Sequence, residues 1–168
     1  LVSGNCPVAR VIKQINSNID NELSFLFELI GKSIEKRTLF HSYDGNSRLV
    51  YGHADYLPGL IIDSYENYII VQINTAGIDR FRNEIKKYLK DKFSKKIILL
   101  DNMQYRQREM LPEFEKDSFR DDIIIKENSL EFHVCADTVQ KVGYYYDHRE
   151  NRKRASRLIK DFKKEFGY

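Results

Sequence analysis

The residues best equipped for chemistry in this chain are twelve in a row, Gln140 to Asn151 (QKVGYYYDHREN). They bring an amide, an ammonium, a flexible glycine, three tyrosine rings, a carboxylate and a guanidinium into one short stretch, just ahead of a basic amphipathic pattern that runs to Tyr168. A cluster of that composition can grip a polar, zwitterionic small molecule. An Asp and an Arg as close as Asp147 and Arg149 can equally form a structural ion pair. The tyrosines at 144, 145 and 146 can stack a base, but one of three consecutive aromatics must usually face a core, and Tyr145 is the expected buried one. From Lys141 to Lys164 there are nine Lys or Arg against three Asp or Glu. Two readings fit this imbalance: a solvated helix face braced by Glu150–Arg154 and Asp161–Lys164 pairs, or proximity to phosphate or RNA.

Other candidate groups are weaker. Cys6 and Cys135 lie far apart without metal-like spacing, and they read as structural thiols of a reducing cytosol, hence of a cytoplasmic protein. His41, His53 and His133 have no ligand-like spacing, so no metal site is expected. At 168 residues with a net charge of +3 the chain is one domain, or one domain with an appendage, and carries no overall polyanion-binding signature. No apolar run approaches the ~18 residues that span a bilayer, so no membrane association is expected.

The elements that must position these groups follow from periodicity. Val8 to Ile15 reads as a strand, and Asn16 to Asp20 as a turn and helix cap. Leu23, Phe27, Ile30 and Ile34, widened by Leu26 and Leu29, predict a core-facing helix, with Lys36 and Arg37 complementing its C-terminal dipole. His41 to Ser47 is loop chemistry. Leu60–Ile62 and Tyr68–Ile73 predict a hairpin entered through Pro58 and Gly59. Ile78 to Phe93 predicts a second amphipathic helix, and Lys96 to Leu100 a buried strand. Asp101 to Asp121 reads as a loop with one short helical turn. Asp122–Ile125 and Leu130–Cys135 predict a second hairpin, turning at Asn128, and a last helix starts near Asp147 or His148. The predicted fold is α+β: a mixed sheet with β-hairpins and two or three helices on one sheet face.

Two stretches, Arg48 to Asp63 (RLVYGHADYLPGLIID) and Glu127 to Arg152 (ENSLEFHVCADTVQKVGYYYDHRENR), carry a resemblance. Together they resemble the class I S-adenosylmethionine-dependent rRNA methyltransferases that modify cytosine carbon-5 of large-subunit ribosomal RNA. In that family the first stretch runs like R-L-V-x-G-E-A-D-G-L-P-G-L-I-V-D, and the second like E-N-G-L-x-F-x-V-D followed by Q-K-T-G-F-F-L-D-Q-R-E-N-R. The match extends in register over roughly 7–168. Departures are Val142 for Thr, His53 for Glu and Tyr56 for Gly; His148 within D-H-R is instead like the related guanine-N7 rRNA methyltransferases.

The resemblance implies a parent protein with a PUA-type module, a central α+β domain and a Rossmann-like methyltransferase domain. On that reading residues 1–7 are the tail of the preceding module, 8–126 the central domain, and 127–168 the hairpin, the QKVGYYYDHREN segment and the lead-in helix of a methyltransferase domain that is absent. It implies that Gln140, Lys141 and Gly143 line the methionine end of S-adenosyl-L-methionine, while Asp147 and Arg149 fix the loop to the catalytic core. Arg48, Arg152 and Lys153 are candidate contacts to ribosomal RNA, although Arg48 can equally anchor a loop. The Gly-rich turn of a Rossmann-like site does not occur in the chain, and neither cysteine is placed as the nucleophile that carbon-5 chemistry needs. The chain alone is therefore expected to be catalytically silent and not to bind the cofactor. Leu158, Ile159 and Phe162 would pack on the missing domain, or drive a homodimer without it. Two further readings stay open: a non-catalytic RNA-binding or adaptor module, and a protein-interaction domain that retains only the fold.

Overall fold

The computed structural model describes residues 21–40, 46–112, 122–128, 130–135 and 144–167. The strand expected over 8–15 and the cap expected over 16–20 lie outside these residues, as does Cys6. The first helix, α1 (Glu22–Phe40), is capped instead by Asn21, whose Oδ1 accepts hydrogen bonds from the amides of Leu23 (2.9 Å) and Ser24 (3.0 Å). Its buried stripe is Leu26, Leu29, Ile30 and Ile34, at the three-to-four spacing of the sequence pattern.

Strands β1 (Ser47–Tyr51), β2 (Leu60–Ser64), β3 (Tyr68–Ile73) and β4 (Lys96–Leu99) form one sheet in that order. The first three are antiparallel neighbours, and β4 lies parallel to β3. This is a mixed α+β sheet, as expected, with one strand more. The unexpected β1 begins at Ser47, which was expected in a loop, and continues through Tyr51, where a five-residue run bounded by loop chemistry gives little periodicity to read.

The connection from β3 to β4 was expected to hold one helix over 78–93. It holds two, α2 (Ala76–Asp79) and α3 (Arg82–Lys92). The break at Arg80–Phe81 lets Asp79 and Arg82 both turn inward, and their side chains pair at 2.5 Å. Beyond β4, α4 (Met103–Arg108) is the short helical turn expected there, capped by Asn102, and residues 113–121 lie outside the description.

Alternation along the strands divides the sheet into two faces. Ile69, Val71 and Ile73 of β3 with Ile97 and Leu99 of β4 join the apolar stripes of α1 and α3, tied further by Phe27 stacking on Tyr88 at 4.5 Å. Ile70 and Ile98 point the other way. There they meet the antiparallel hairpin β5 (Ile123–Glu127) and β6 (Leu130–Val134), together with Tyr65 and Tyr144. The hairpin turns at Asn128, which takes the positive φ (51°) that asparagine tolerates. The domain boundary expected after residue 126 falls inside β5.

The Leu57–Leu60 turn is set by local geometry. Leu57 and Leu60 are fully buried and plug the core. Gly59 has φ +87°, and a Cβ there would lie 2.3 Å from the Thr75 side chain, whose hydroxyl donates to the Pro58 carbonyl. Tyr56 is left-handed (φ 61°, ψ 24°), which accounts physically for the glycine that the resembling motif carries at this position.

Candidate functional site

Period-two alternation puts Glu127 on the same side of β5 as the buried Ile123 and Ile125, so a carboxylate is carried into an apolar layer. A charge in that position requires partners. The segment after β6 supplies them. A 3-10 turn, Tyr146–His148, leads into α5 (Arg149–Phe166), and the first turn of this helix presents Arg149 and Arg152 to the carboxylate. Arg152 donates from Nε to Oε1 (2.9 Å) and from Nη2 to Oε2 (2.9 Å); Arg149 Nε donates to Oε2 at 3.0 Å and the Tyr144 hydroxyl at 2.7 Å. Arg152 also lies over the Tyr144 ring, 4.4 Å from its centroid, and donates to the Tyr145 carbonyl. Burial alone would raise the Glu127 carboxyl. The hydrogen bonds from Arg152, Tyr144 and Arg149 outweigh it and bring its pKa down to about 2. Tyr144, buried and donating to that carboxylate, is pushed up to about 12.

This clamp forms one wall of a cleft of about 520 Å³. Arg48 and Tyr51 of β1 line the opposite side, with the Arg48 guanidinium 5.0 Å from the centre of the Tyr51 ring. Arg48 is held across the strands by Asp63 (2.7 and 3.0 Å), and Arg37 by Asp55 (2.5 and 2.7 Å). Asp55 also accepts from the Tyr51 amide (2.6 Å). Each of these arginines faces the cleft already paired. Exposed groups along it include the rings of Tyr51 and of Tyr145, the latter stacked on His148 at 5.4 Å, and the side chains of Asp147 and Glu150.

The structure redistributes several expected roles. Tyr145 is 52% exposed and Tyr144 is the buried ring, because the hydroxyl of Tyr144 is needed at Glu127. Asp147 does not pair with Arg149, whose guanidinium turns to Glu127 and to the Asn46 carbonyl; the Asp147 carboxylate lies 3.9 Å from the His148 imidazole. Arg48 and Arg152 are engaged with carboxylates, while Lys153 is half-buried on α5. The Glu150–Arg154 and Asp161–Lys164 pairs do not form among the described residues. Gln140, Lys141, Val142 and Gly143 lie outside the described residues. Sequence reasoning gave Glu127 no part in the site, and offered Tyr144 as a base-stacking ring and not as the buried partner of a carboxylate. The signal for Glu127 was present in the Ile123–Ile125–Glu127 alternation, whereas nothing in three adjacent tyrosines says which one points inward.

Among the described residues no group of three or more His, Cys, Asp and Glu is placed to hold a metal ion, and no helix is long and apolar enough to cross a membrane. Cys135 is exposed, just past the end of β6.

The architecture places the chain in a fold class seen in solved structures. A Streptococcus mutans protein provisionally described as a SAM-dependent methyltransferase matches with a TM-score of 0.59 and 16% identity, over 82% of this chain and 36% of that one. A second, provisionally described as a methyltransferase and complexed with SAH, matches with a TM-score of 0.58 and 15% identity, over 81% and 36%. That likeness is one of fold. At the level of sequence the chain is similar to ribosomal RNA large subunit methyltransferase I of Pseudoalteromonas atlantica, 32% identical over 152 residues, 87% of this chain and 38% of that protein. It is also similar to the enzyme of the same name from Shewanella amazonensis, 32% identical over 117 residues, 67% of this chain and 30% of that protein. The chain thus spans well under half the length of these relatives. No protein-family model matches it.

Proposed function

We propose that this chain is the central, substrate-side part of an S-adenosylmethionine-dependent methyltransferase acting on large-subunit ribosomal RNA in the cytoplasm, and that the modified atom is carbon-5 of cytosine. The observation that carries this reading is the 32% identity over 152 residues to a large-subunit rRNA methyltransferase, a span long enough to include the Glu127 clamp. The cofactor, when bound, supplies an electrophilic methyl group on a sulfonium. Among the described residues the fit to it is partial: Asp147 is an exposed acceptor able to take a hydrogen bond from an ammonium or hydroxyl, and Tyr145 offers an aromatic face. Arg149 is already held by Glu127, which makes it a positioning residue that holds the turn bearing Asp147 and Tyr145. Gln140, Lys141 and Gly143 remain assigned to the methionine end.

In this reading the central domain spans 8–126, and residues 127–168 lead into the catalytic domain of a longer polypeptide. That domain covers Leu158, Ile159 and Phe162 of α5, each more than half exposed here. The chain alone neither binds the cofactor nor transfers a methyl group. The test is calorimetry with S-adenosylmethionine on the 168-residue chain and on the polypeptide extended through the gene's downstream frame, followed by nucleoside analysis of methylated rRNA fragments. The expected result is heat only with the extended protein, and 5-methylcytidine as product. A product at guanine N7 would correct the base, in keeping with His148 in D-H-R. A stop codon directly after Tyr168, with RNA binding but no cofactor heat, would replace the enzyme reading by that of an adaptor module.

A further inference from the structure

Helix α5 sorts its side chains into sectors that the Glu127 clamp does not explain. At 3.6 residues per turn, Lys153, Arg157, Lys160 and Lys164 fall on one stripe, the apolar Ala155, Leu158, Ile159 and Phe162 on a face about 180° away, and Glu150, Asp161 and Glu165 on the flank between them. The four basic residues make no hydrogen bond or ion pair among the described residues, and Arg157, Lys160 and Lys164 are exposed. The stripe extends over about 16 Å of helix axis. The arginines that seat the helix, Arg149 and Arg152, are both engaged by the Glu127 carboxylate.

We propose that this stripe is a docking track for the phosphate backbone of single-stranded RNA, with Lys153, Arg157, Lys160 and Lys164 each meeting one phosphate. The inference rests on the RNA-substrate reading above and deepens it by naming the surface that holds the strand. Unpaired cations repeated every turn along a straight element suit a polyanion of regular charge spacing. An anionic membrane is the other polyanion that such helices meet. It would bury the apolar face, and because the cations lie opposite that face they would point away from the headgroups. The separation leaves the apolar face to a protein neighbour while the basic stripe stays open to RNA.

Binding of a fluorescent single-stranded RNA to the full 168-residue chain, measured across a salt series, tests the track. Four phosphate contacts predict a slope of about −3 in log affinity against log salt, at roughly −0.7 per contact. Replacing all four residues (Lys153→Gln, Arg157→Gln, Lys160→Gln, Lys164→Gln) should weaken binding more than tenfold at low salt and bring the slope close to zero. Lys160→Gln alone should reduce it by about 0.7. Arg154→Gln, on the acidic flank, should leave both affinity and slope unchanged. A quadruple variant that keeps the wild-type slope overturns the track, as does a wild-type chain that binds anionic vesicles and not RNA. Methyl transfer by the extended polypeptide distinguishes the two readings: activity that survives the quadruple substitution removes the track and leaves the methyltransferase proposal standing.

Discussion

Asp101 and Glu127 are both carboxylates buried under a pair of arginines, one just past the four-stranded sheet and one in the β5–β6 hairpin, and their surroundings differ in a way that separates framework from site. Asp101 follows β4 and has a side chain with no exposed surface. It accepts from the Ile73 amide (2.8 Å) and from Arg82, and lies 3.1 Å from Arg106, a fully buried arginine that also bonds Asp79, the Ile73 carbonyl and the Pro112 carbonyl. Every partner in this knot belongs to the sheet or its connections. Glu127 is buried nearly as deeply, yet its partners come from Tyr144 and the start of α5, which border an open cleft. A closed knot of this kind contributes only to stability. The clamp at Glu127 also determines where the Tyr145–His148 turn and the basic helix stand.

The comparison is broken most forcefully at Asp101. Asp101→Ala leaves the buried Arg82 and Arg106 to share the single carboxylate of Asp79 and strips the Ile73 amide of its acceptor, a change that costs roughly 3 kcal/mol, a large part of the stability of a domain this size. Urea denaturation should show the whole sheet losing stability together, with Asp101→Asn milder because it keeps an acceptor for the Ile73 amide. An unchanged denaturation midpoint for the Ala variant would mean that the knot is not the framework element proposed.

Glu127→Gln comes next. The depression of the Glu127 pKa to about 2 from 4.5 corresponds to on the order of 3 kcal/mol in favour of the folded state. Because the folded-state pKa is the lower one, this contribution is complete above the unfolded value of 4.5 and is lost as pH falls through about 2. The gap between wild type and Glu127→Gln should therefore be widest near neutrality and close between about pH 4.5 and 2. Asp79 is also held below the ordinary carboxylate range, since hydrogen bonds from Arg106 and Arg82 outweigh its burial, but it is common to both proteins and cancels in the difference. Hydrogen exchange should show the loss in Glu127→Gln concentrated in α5 and the β5–β6 hairpin, with α1 and β1–β4 little affected. Parallel stability curves across this pH range would remove the clamp from the energetics.

The two clusters were not equally legible. The amphipathic stripe of α1, both hairpins, the buried strand at 96–99 and the last helix follow from periodicity, because one apolar face per element must find the core. The interruption between α2 and α3 did not, since it depends on Arg82 reaching Asp101 and Asp79 reaching Arg106, both far along the chain, a tertiary demand that overrides a regular helical pattern. The site was half readable for a related reason. The QKVGYYYDHREN string announces polar chemistry, but which tyrosine is buried, and that Arg149 turns to Glu127 instead of Asp147, depends on a strand seventeen or more residues upstream.

Asp147→Ala gives the smallest expected effect on stability and the sharpest reading of the division. The Asp147 carboxylate is 77% exposed and only distantly paired with His148, so its removal should shift stability by no more than about 0.5 kcal/mol. If the clamp exists to present this turn, the same substitution in the extended polypeptide should weaken S-adenosylmethionine binding, because an exposed carboxylate with only a distant contact to His148 is available to a ligand in a way that Arg149, Arg152 and Glu127 are not. Calorimetry on the extended protein measures that affinity directly, and thermal denaturation of the same sample reports any structural cost. Unchanged affinity would strip Asp147 of its cofactor role and leave the turn it occupies a mere connection between the Tyr144 anchor and the basic helix. A loss of affinity accompanied by an equally large loss of stability would instead return Asp147 to the framework with Asp101.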